Sequence, residues 1–164
     1  MMFPLVKNGC EMNCPCQSGK DYESCCGRFI SHRHQAENAQ LLMRSRYSAY
    51  ILRKSDYIRE TWHPDFRPMS VDMERNLKWL KLDILDSSEE DDKAIVEFEA
   101  RLFDGGGVNA LHEKSHFVRL QGRWFYTNGE MLQPTFKPWK PARKEPCPCN
   151  SGKKFKNCCE ALAV

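Results

Sequence analysis

Cysteines stand at 14, 16, 25 and 26, and again at 147, 149, 158 and 159, in one shared spacing, C-x-C-x8-C-C, with none between Cys26 and Cys147. Four thiolates gathered at one point make a tetrahedral zinc site that is closed, because no position is left for water. Cys14 and Cys16 flank Pro15 on a tight turn and set two sulfurs on one side of an ion. The loop that follows returns the chain so that Cys25 and Cys26 complete the set. Cys147, Cys149, Cys158 and Cys159 read in the same way, so the expected cofactor is Zn2+, two per chain. The two segments align without gaps over thirteen positions, eight of them identical, which marks a repeat rather than a coincidence. Ser18-Gly19 and Ser151-Gly152 fall where the loop must reverse, and glycine permits a left-handed backbone there. Four thiolates on Zn2+ leave a net −2, so Lys20 and Lys153, at matching positions, are candidate cations beside each site. Tyr22 and Phe155 are matched aromatics that can cover each loop.

Other chemistries also cluster cysteines. Iron–sulfur and rubredoxin-type iron sites use C-x2-C pairs, which are absent here. Metallothionein-like clusters use C-x-C and C-C, but not as two isolated groups around a large aromatic-bearing domain. Regulatory disulfides are a further alternative. A secreted, disulfide-stapled domain would spread its cysteines and follow a leader. The start, Met1-Met2-Phe3-Pro4-Leu5-Val6-Lys7-Asn8, has no charged segment followed by an apolar run. No stretch approaches the ~20 apolar residues that cross a bilayer. The expectation is a cytoplasmic protein without a membrane span, in which Cys10, the ninth cysteine, is a free thiol.

The elements that must position these groups divide the chain in three. Residues 1–30 are an N-terminal zinc module, 31–133 one α+β domain, and 134–164 a proline-rich linker with a C-terminal zinc module. A composition 41% hydrophobic and 11% aromatic can fill a core, which excludes a disordered chain. Apolar residues at Ala39, Leu42, Met43, Tyr47, Tyr50 and Ile51 follow helical spacing and predict a helix over 37–54. A shorter helix over 56–62 should stop at His63-Pro64. Leu80, Leu82 and Ile84 alternate with polar neighbours, as do Ala94, Val96, Phe98, Ala100 and Leu102, so both runs read as strands. The acidic stretch 87–93 and the Asp104-Gly105-Gly106-Gly107 run read as turns. Residues 108–120 and 123–128 flank Gln121-Gly122, a two-residue hairpin signal. The fold class is α+β, with helices packed on one face of a four-stranded antiparallel sheet.

Pairing about Gln121-Gly122 sets Arg119 opposite Trp124 and Phe117 opposite Tyr126. Alternation then puts Glu113, Ser115, Phe117, Arg119, Trp124 and Tyr126 on one face. With Trp62 and His63, the residues Glu113, Ser115, Phe117, Trp124 and Tyr126 are candidates to line a small-molecule cavity. Glu113 is either a base in that cavity or simply bonded to Ser115, Arg119 or a helix end. No phosphate loop, nucleophile elbow or H-E-x-x-H is present, and Asp65, His112 and His116 lack metal or triad spacing. No catalytic residue is assigned, and an enzyme is the less favoured reading.

Charge is unevenly spread. Residues 1–27 carry a net −1, 28–136 a net −1 and 137–164 a net +5. The C-terminal group Lys153, Lys154, Phe155 and Lys156 is therefore the candidate patch for an acidic protein surface or, more weakly, nucleic acid, with a merely solvated face as the alternative.

The pattern C-x-C-x-S-G-K-x4-C-C resembles the SEC-C motif, the zinc-binding tail of the bacterial translocation ATPase SecA, where it contacts a chaperone. Two such motifs bracket Met43-Arg44-Ser45-Arg46-Tyr47-Ser48-Ala49-Tyr50, Thr61-Trp62-His63-Pro64 and His112-Glu113-Lys114-Ser115-His116-Phe117. With that middle region, nearly the whole chain is similar to the YchJ family of bacterial proteins. The resemblance implies a nuclear-transport-factor-2-like middle domain, a cone-shaped curved sheet backed by helices around a cavity. It also implies a protein partner met through the SEC-C modules: a chaperone, the ribosome or translocation machinery. It specifies a fold more than a reaction. An interaction adapter is the first functional reading, a small-molecule-binding or hydrolytic cavity protein the second, and weak RNA binding the third.

Overall fold

Lys78–Glu90 (β1), Lys93–Phe103 (β2), Val108–Leu120 (β3) and Arg123–Leu132 (β4) form one antiparallel sheet whose spatial order is the chain order. The computed structural model describes residues 12–73 and 77–162, so Cys10 lies outside the described residues. Cys26–Ile30 (α1), Ala39–Ile51 (α2) and Ser55–Glu60 (α3) precede the sheet; α2 and α3 lie within the expected region, and α1 was not expected.

α2 begins where the side chain of Asn38 accepts the N–H of Leu41 at 2.8 Å. A second acceptor comes from the sheet: Glu89 Oε1 takes the N–H of Ala39 at 2.9 Å. A carboxylate at a helix N-terminus is favoured by the unpaired N–H groups and by the helix dipole. This bond also explains a departure from expectation. Residues 87–90, read as a turn from their acidity, continue β1, with Ser87, Ser88, Glu89 and Glu90 opposite Val96, Ile95, Ala94 and Lys93. The turn itself is only Asp91 and Asp92, with Asp91 in the left-handed region at φ 52°. Pairing to a strand with a buried face outweighs the low strand propensity of exposed acidic residues.

α3 ends at Glu60, two residues before the expected stop. The Thr61 hydroxyl bonds back to the carbonyl of Tyr57 at 2.8 Å, and the chain then turns to run beside β4. Tyr126 N–H donates to Thr61 O at 2.9 Å and His63 N–H to Tyr126 O at 2.7 Å, a short parallel bridge that covers the β4 edge.

The core lies between α2, α3 and the sheet, with Leu42, Tyr47, Ile58, Val96, Phe98, Phe117 and Trp124 all buried. Residues 133–146 are extended, as their prolines predict, but they are bound rather than free. Glu99 Oε2 accepts the backbone N–H and the hydroxyl of Thr135 at 2.8 and 2.9 Å. Burial alone would raise the Glu99 carboxyl; the bonds from Thr135 and Phe136 outweigh it and hold the group below its usual range. Val108 and Trp139 exchange backbone bonds at 2.7 and 3.1 Å.

Candidate metal centres

Each cysteine loop is built by one set of backbone bonds used twice. The N–H of Cys14 reaches Lys20 O at 2.9 Å, and that of Cys147 reaches Lys153 O at 2.8 Å. Gln17 N–H donates to Cys14 O and Asn150 N–H to Cys147 O, at 2.9 and 3.1 Å. Cys25 N–H donates to Tyr22 O and Cys158 N–H to Phe155 O, each at 3.1 Å. Gly19 and Gly152 have φ of 79° and 76°, the left-handed turn expected of them. Gln17 and Asn150 are left-handed as well, at 60° and 57°, a second turn that the residue types alone did not disclose.

These turns bring Cys14, Cys16, Cys25 and Cys26 together, and likewise Cys147, Cys149, Cys158 and Cys159; within each set the four Sγ atoms lie within 4.8 Å of one another. Cys16 and Cys25 are 3.7 Å apart, Cys147 and Cys149 3.4 Å, and Cys149 and Cys158 3.5 Å. Zn–S bonds of about 2.3 Å in a tetrahedron put sulfurs about 3.8 Å apart, whereas a disulfide needs about 2.05 Å. The spacing fits four ligands around one ion, and none of the eight is in a disulfide.

The electrostatics of the thiols point the same way. Cys16 is held down by hydrogen bonds with Cys14, then Cys26, while Cys26 is pushed well up by its bonds with Cys14, then Cys16. Burial pushes Cys149 up, but bonds from Ser151, Cys147 and Cys158 bring it down to about 6. In each set one thiol is held down while a neighbour is pushed up; a dication bound by all four lowers every one of them, and the loaded site keeps a net −2. Ser18 and Ser151 each lie 3.2 Å from a sulfur, Cys25 and Cys158 respectively, so the serine of each loop is a hydrogen-bonding partner of its cluster.

Lys20 and Lys153 serve through their carbonyls, and their side chains are exposed. The cation beside the C-terminal set is instead Lys78 of β1. Burial would lower its ammonium, but Cys159, Cys149 and Cys158 raise it. It is distant in sequence from the cysteines, so spacing gave no sign of it.

Both modules are docked on the middle domain. Cys14 Sγ lies 3.7 Å from Ser48 Oγ of α2, and Arg44 donates to Cys16 O at 3.0 Å. The C-terminal set shares a second core with Phe103, Val108 and Phe155. Phe155 is 1% exposed and meets Phe103 edge-on at 5.4 Å. This corrects its place in the candidate partner patch: Phe155 anchors the module, and only Lys153, Lys154 and Lys156 face outward. The modules also meet β1 at one point. Leu80 is an extra residue in the β1–β2 register, between Trp79 and Lys81. Gln17 Nε2 donates to its carbonyl at 2.7 Å, while its side chain packs on the C-terminal core.

In the middle domain, Trp62, Glu113, Ser115, Phe117 and Tyr126 come together. Tyr126 meets Trp62 at 5.0 Å and Phe117 at 5.7 Å, edge-on in both cases. Glu113 Oε1 accepts from Ser115 Oγ at 2.7 Å and Tyr126 OH at 3.0 Å. The carboxylate lies directly over Gly129, where an added Cβ would overlap it. Arg119 is elsewhere, paired with Asp92 at 3.0 Å. His63 packs against Phe66 and Phe125, apart from Glu113, and Trp124 forms the wall of a different hollow. Arg46 is the residue that sequence reasoning missed. It is buried, donates to Ile58 O and Thr61 Oγ1 at 2.7 Å each, and its guanidinium lies over both Trp62 and Tyr126. Its spacing of four from Leu42 and from Tyr50 placed it on the apolar face of α2, a signal available in the sequence.

A family model described as YchJ, middle NTF2-like domain, matches residues 38–129, and the SEC-C motif model matches 13–28 and 143–161. A UPF0225 protein of Pectobacterium carotovorum is 40% identical over 90% of this chain and 97% of its own length. A UPF0225 protein of Serratia proteamaculans is 40% identical over 89% of this chain and 96% of its own. The solution structure of a SEC-C motif containing protein from Rhodopseudomonas palustris is similar at TM-score 0.68 and 40% identity, covering 74% of this chain and all of that one. The crystal structure of another, from Psychrobacter arcticus, is similar at TM-score 0.60 and 29% identity, covering 91% of this chain and 96% of that one.

Proposed function

The chain belongs to the YchJ (UPF0225) family, and from that premise we propose that it is a zinc-stapled interaction adapter whose C-terminal module meets an acidic protein surface. Zinc is the favoured occupant of both sites because a closed set of four thiolates, buried at the N-terminal site and half-buried at Cys149 and Cys158, offers a tetrahedron with no open position. The sites are structural on this reading: the cysteines are part of the core rather than the lining of a substrate cleft.

The observation that carries the adapter reading is a charge reversal on one scaffold. Between the second and third cysteines, the N-terminal loop has Lys20, Asp21 and Glu23 where the C-terminal loop has Lys153, Lys154 and Lys156. The backbone bonds are the same, so the difference is in what each loop presents. Three exposed lysines held on a rigid loop favour an acidic partner, such as a region of a chaperone, the ribosome or translocation machinery. Cross-linking in lysate, with nuclease treatment, tests this. A triple variant, Lys153→Glu, Lys154→Glu and Lys156→Glu, should lose the captured proteins while Lys20→Glu keeps them. An unchanged set in the triple variant contradicts the assignment, and a set that vanishes on nuclease treatment transfers the surface to RNA.

A further inference from the structure

The two cysteine loops share one backbone arrangement but not one environment. Cys14, Cys16, Cys25 and Cys26 are at most 6% exposed, and all four belong to the main core with Phe29, Leu42 and Tyr47. In the C-terminal set Cys147 and Cys159 are as deeply buried, but Cys149 and Cys158 are only half-buried. The chain that follows each cysteine pair accounts for the difference. After Cys25, α1 carries Phe29 and Ile30 into the same core as the four sulfurs. After Cys159 comes a single turn of 3-10 helix at Glu160–Leu162, in which Glu160 is half-buried and Ala161 exposed. The C-terminal set packs instead on the smaller core of Phe103, Val108 and Phe155. Its two half-buried cysteines are also neighbours, with Cys149 Sγ 3.5 Å from Cys158 Sγ. Cys147 lies as close to Cys149, at 3.4 Å, but is buried.

Cysteine oxidation follows thiolate character and exposure. Both sets offer thiolates, so exposure separates them. We infer that Cys149 and Cys158 are an oxidation site: a hydroperoxide converts this pair to a disulfide and releases the C-terminal zinc, while the N-terminal ion stays bound. The step balances with the peroxide as oxidant. One sulfur attacks a peroxide oxygen, the O–O bond breaks, and that sulfur becomes a sulfenic acid. The second sulfur then displaces hydroxide from it and forms the S–S bond. The pair loses two electrons, and with hydrogen peroxide two protons from solvent complete two waters. Closing from 3.5 Å to the ~2.05 Å of a disulfide moves each sulfur by about 0.7 Å. Only Cys147 and Cys159 then remain as ligands, too few for a closed four-thiolate site. In the N-terminal loop the matching pair, Cys16 and Cys25, is 3.7 Å apart but withdrawn from solvent. The inference rests on the zinc occupancy proposed above and is independent of what the lysine loop meets.

Hydrogen peroxide added to the zinc-loaded full chain tests this, with Cys10→Ser in place so that no ninth thiol exchanges. Released zinc is followed with a chromogenic chelator, and disulfides are located by mass mapping of alkylated peptides. One of the two ions should leave at least about ten-fold faster than the other, in step with a Cys149–Cys158 disulfide. A dithiol with added zinc should reverse both changes. Cys149→His keeps a zinc ligand but removes the partner thiol, so peroxide should release that ion about ten-fold more slowly or not at all. The disulfide map of the parent protein decides by itself if the variant does not load. Release of both ions at one rate, a first disulfide in any other pair, or two ions retained in excess peroxide overturns the inference. A chain that holds no zinc at the start overturns the occupancy reading instead. The map still judges the pair: Cys149–Cys158 oxidised first supports the site, and another pair first overturns it.

Discussion

Glu113 shows how much one residue's position can depend on a neighbour that has no side chain. Its carboxylate takes two hydroxyl bonds and lies where a Cβ on Gly129 would stand. Tyr126 remains a donor because burial, followed by the charge of Glu113, pushes its phenol up. Gly129→Ala must therefore displace the carboxylate or distort β4, and either way it loses both bonds. The expected cost is about 2–4 kcal/mol by urea unfolding. The double variant Glu113→Ala with Gly129→Ala should recover part of that loss, because the clash is gone. Equal stability of the single and double variants contradicts this account. The shared face of Glu113, Ser115, Phe117 and Tyr126 was legible from the Gln121-Gly122 hairpin. Gly129 was not: in the sequence, Asn128-Gly129-Glu130 reads as the end of a strand, whereas β4 continues to Leu132 because Ser115, Lys114, Glu113 and His112 of β3 pair with Gly129, Glu130, Met131 and Leu132.

At the scale of elements, alternation and turn chemistry carried the sheet. The register Leu120 opposite Arg123 through Phe117 opposite Tyr126 follows directly from a two-residue loop. Beyond it a bulge between His116 and Phe117 brings Asn128 opposite His116, and no local pattern announces it. Residues 87–90 were misread for a related reason: their partners, 93–96, supply the burial that their own side chains lack. His112 joins two of these elements, its Nδ1 at 2.9 Å from Gln133 O and its Nε2 at 2.8 Å from Glu97 Oε1. Both ring nitrogens face acceptors, so the doubly protonated ring is favoured. The bond to Gln133, followed by that to Glu97, raises the imidazole above its usual value against the effect of burial. A folded value above the unfolded one gives stability that is full below the unfolded value and is lost as pH climbs through the folded one. The stability difference between wild type and His112→Gln should therefore be largest below pH of about 6.5 and shrink as pH rises. A difference that grows with pH contradicts the pairing.

For the whole molecule, the sequence-level division into three parts understates how far the parts are joined. The prolines of residues 134–146 predict a spacer, but Glu99, Val108 and the Phe103–Phe155 contact tie that spacer and its module to the sheet. Those ties involve residues far apart in sequence, with nothing periodic to reveal them. Cys158→Ser should thus do more than unfold a free tail. Hydrogen exchange should rise across residues 135–161 and also at Phe103 and Val108, while α2 and the β3–β4 hairpin at 117–126 keep their protection. Loss confined to residues 147–161 contradicts docking, and loss throughout contradicts the separate core that runs from Cys14 to Trp124. A four-thiolate site gathered by a short loop has too small a core to hold without its ion, so metal binding and local folding are one event. The most direct test of that claim is metal content measured with thiol accessibility on the reduced, full-length protein. The account expects two zinc ions per chain and eight of the nine cysteines protected until a chelator is added; iron as the main metal, a stoichiometry near zero, or eight thiols freely reactive in the metal-loaded protein would contradict it.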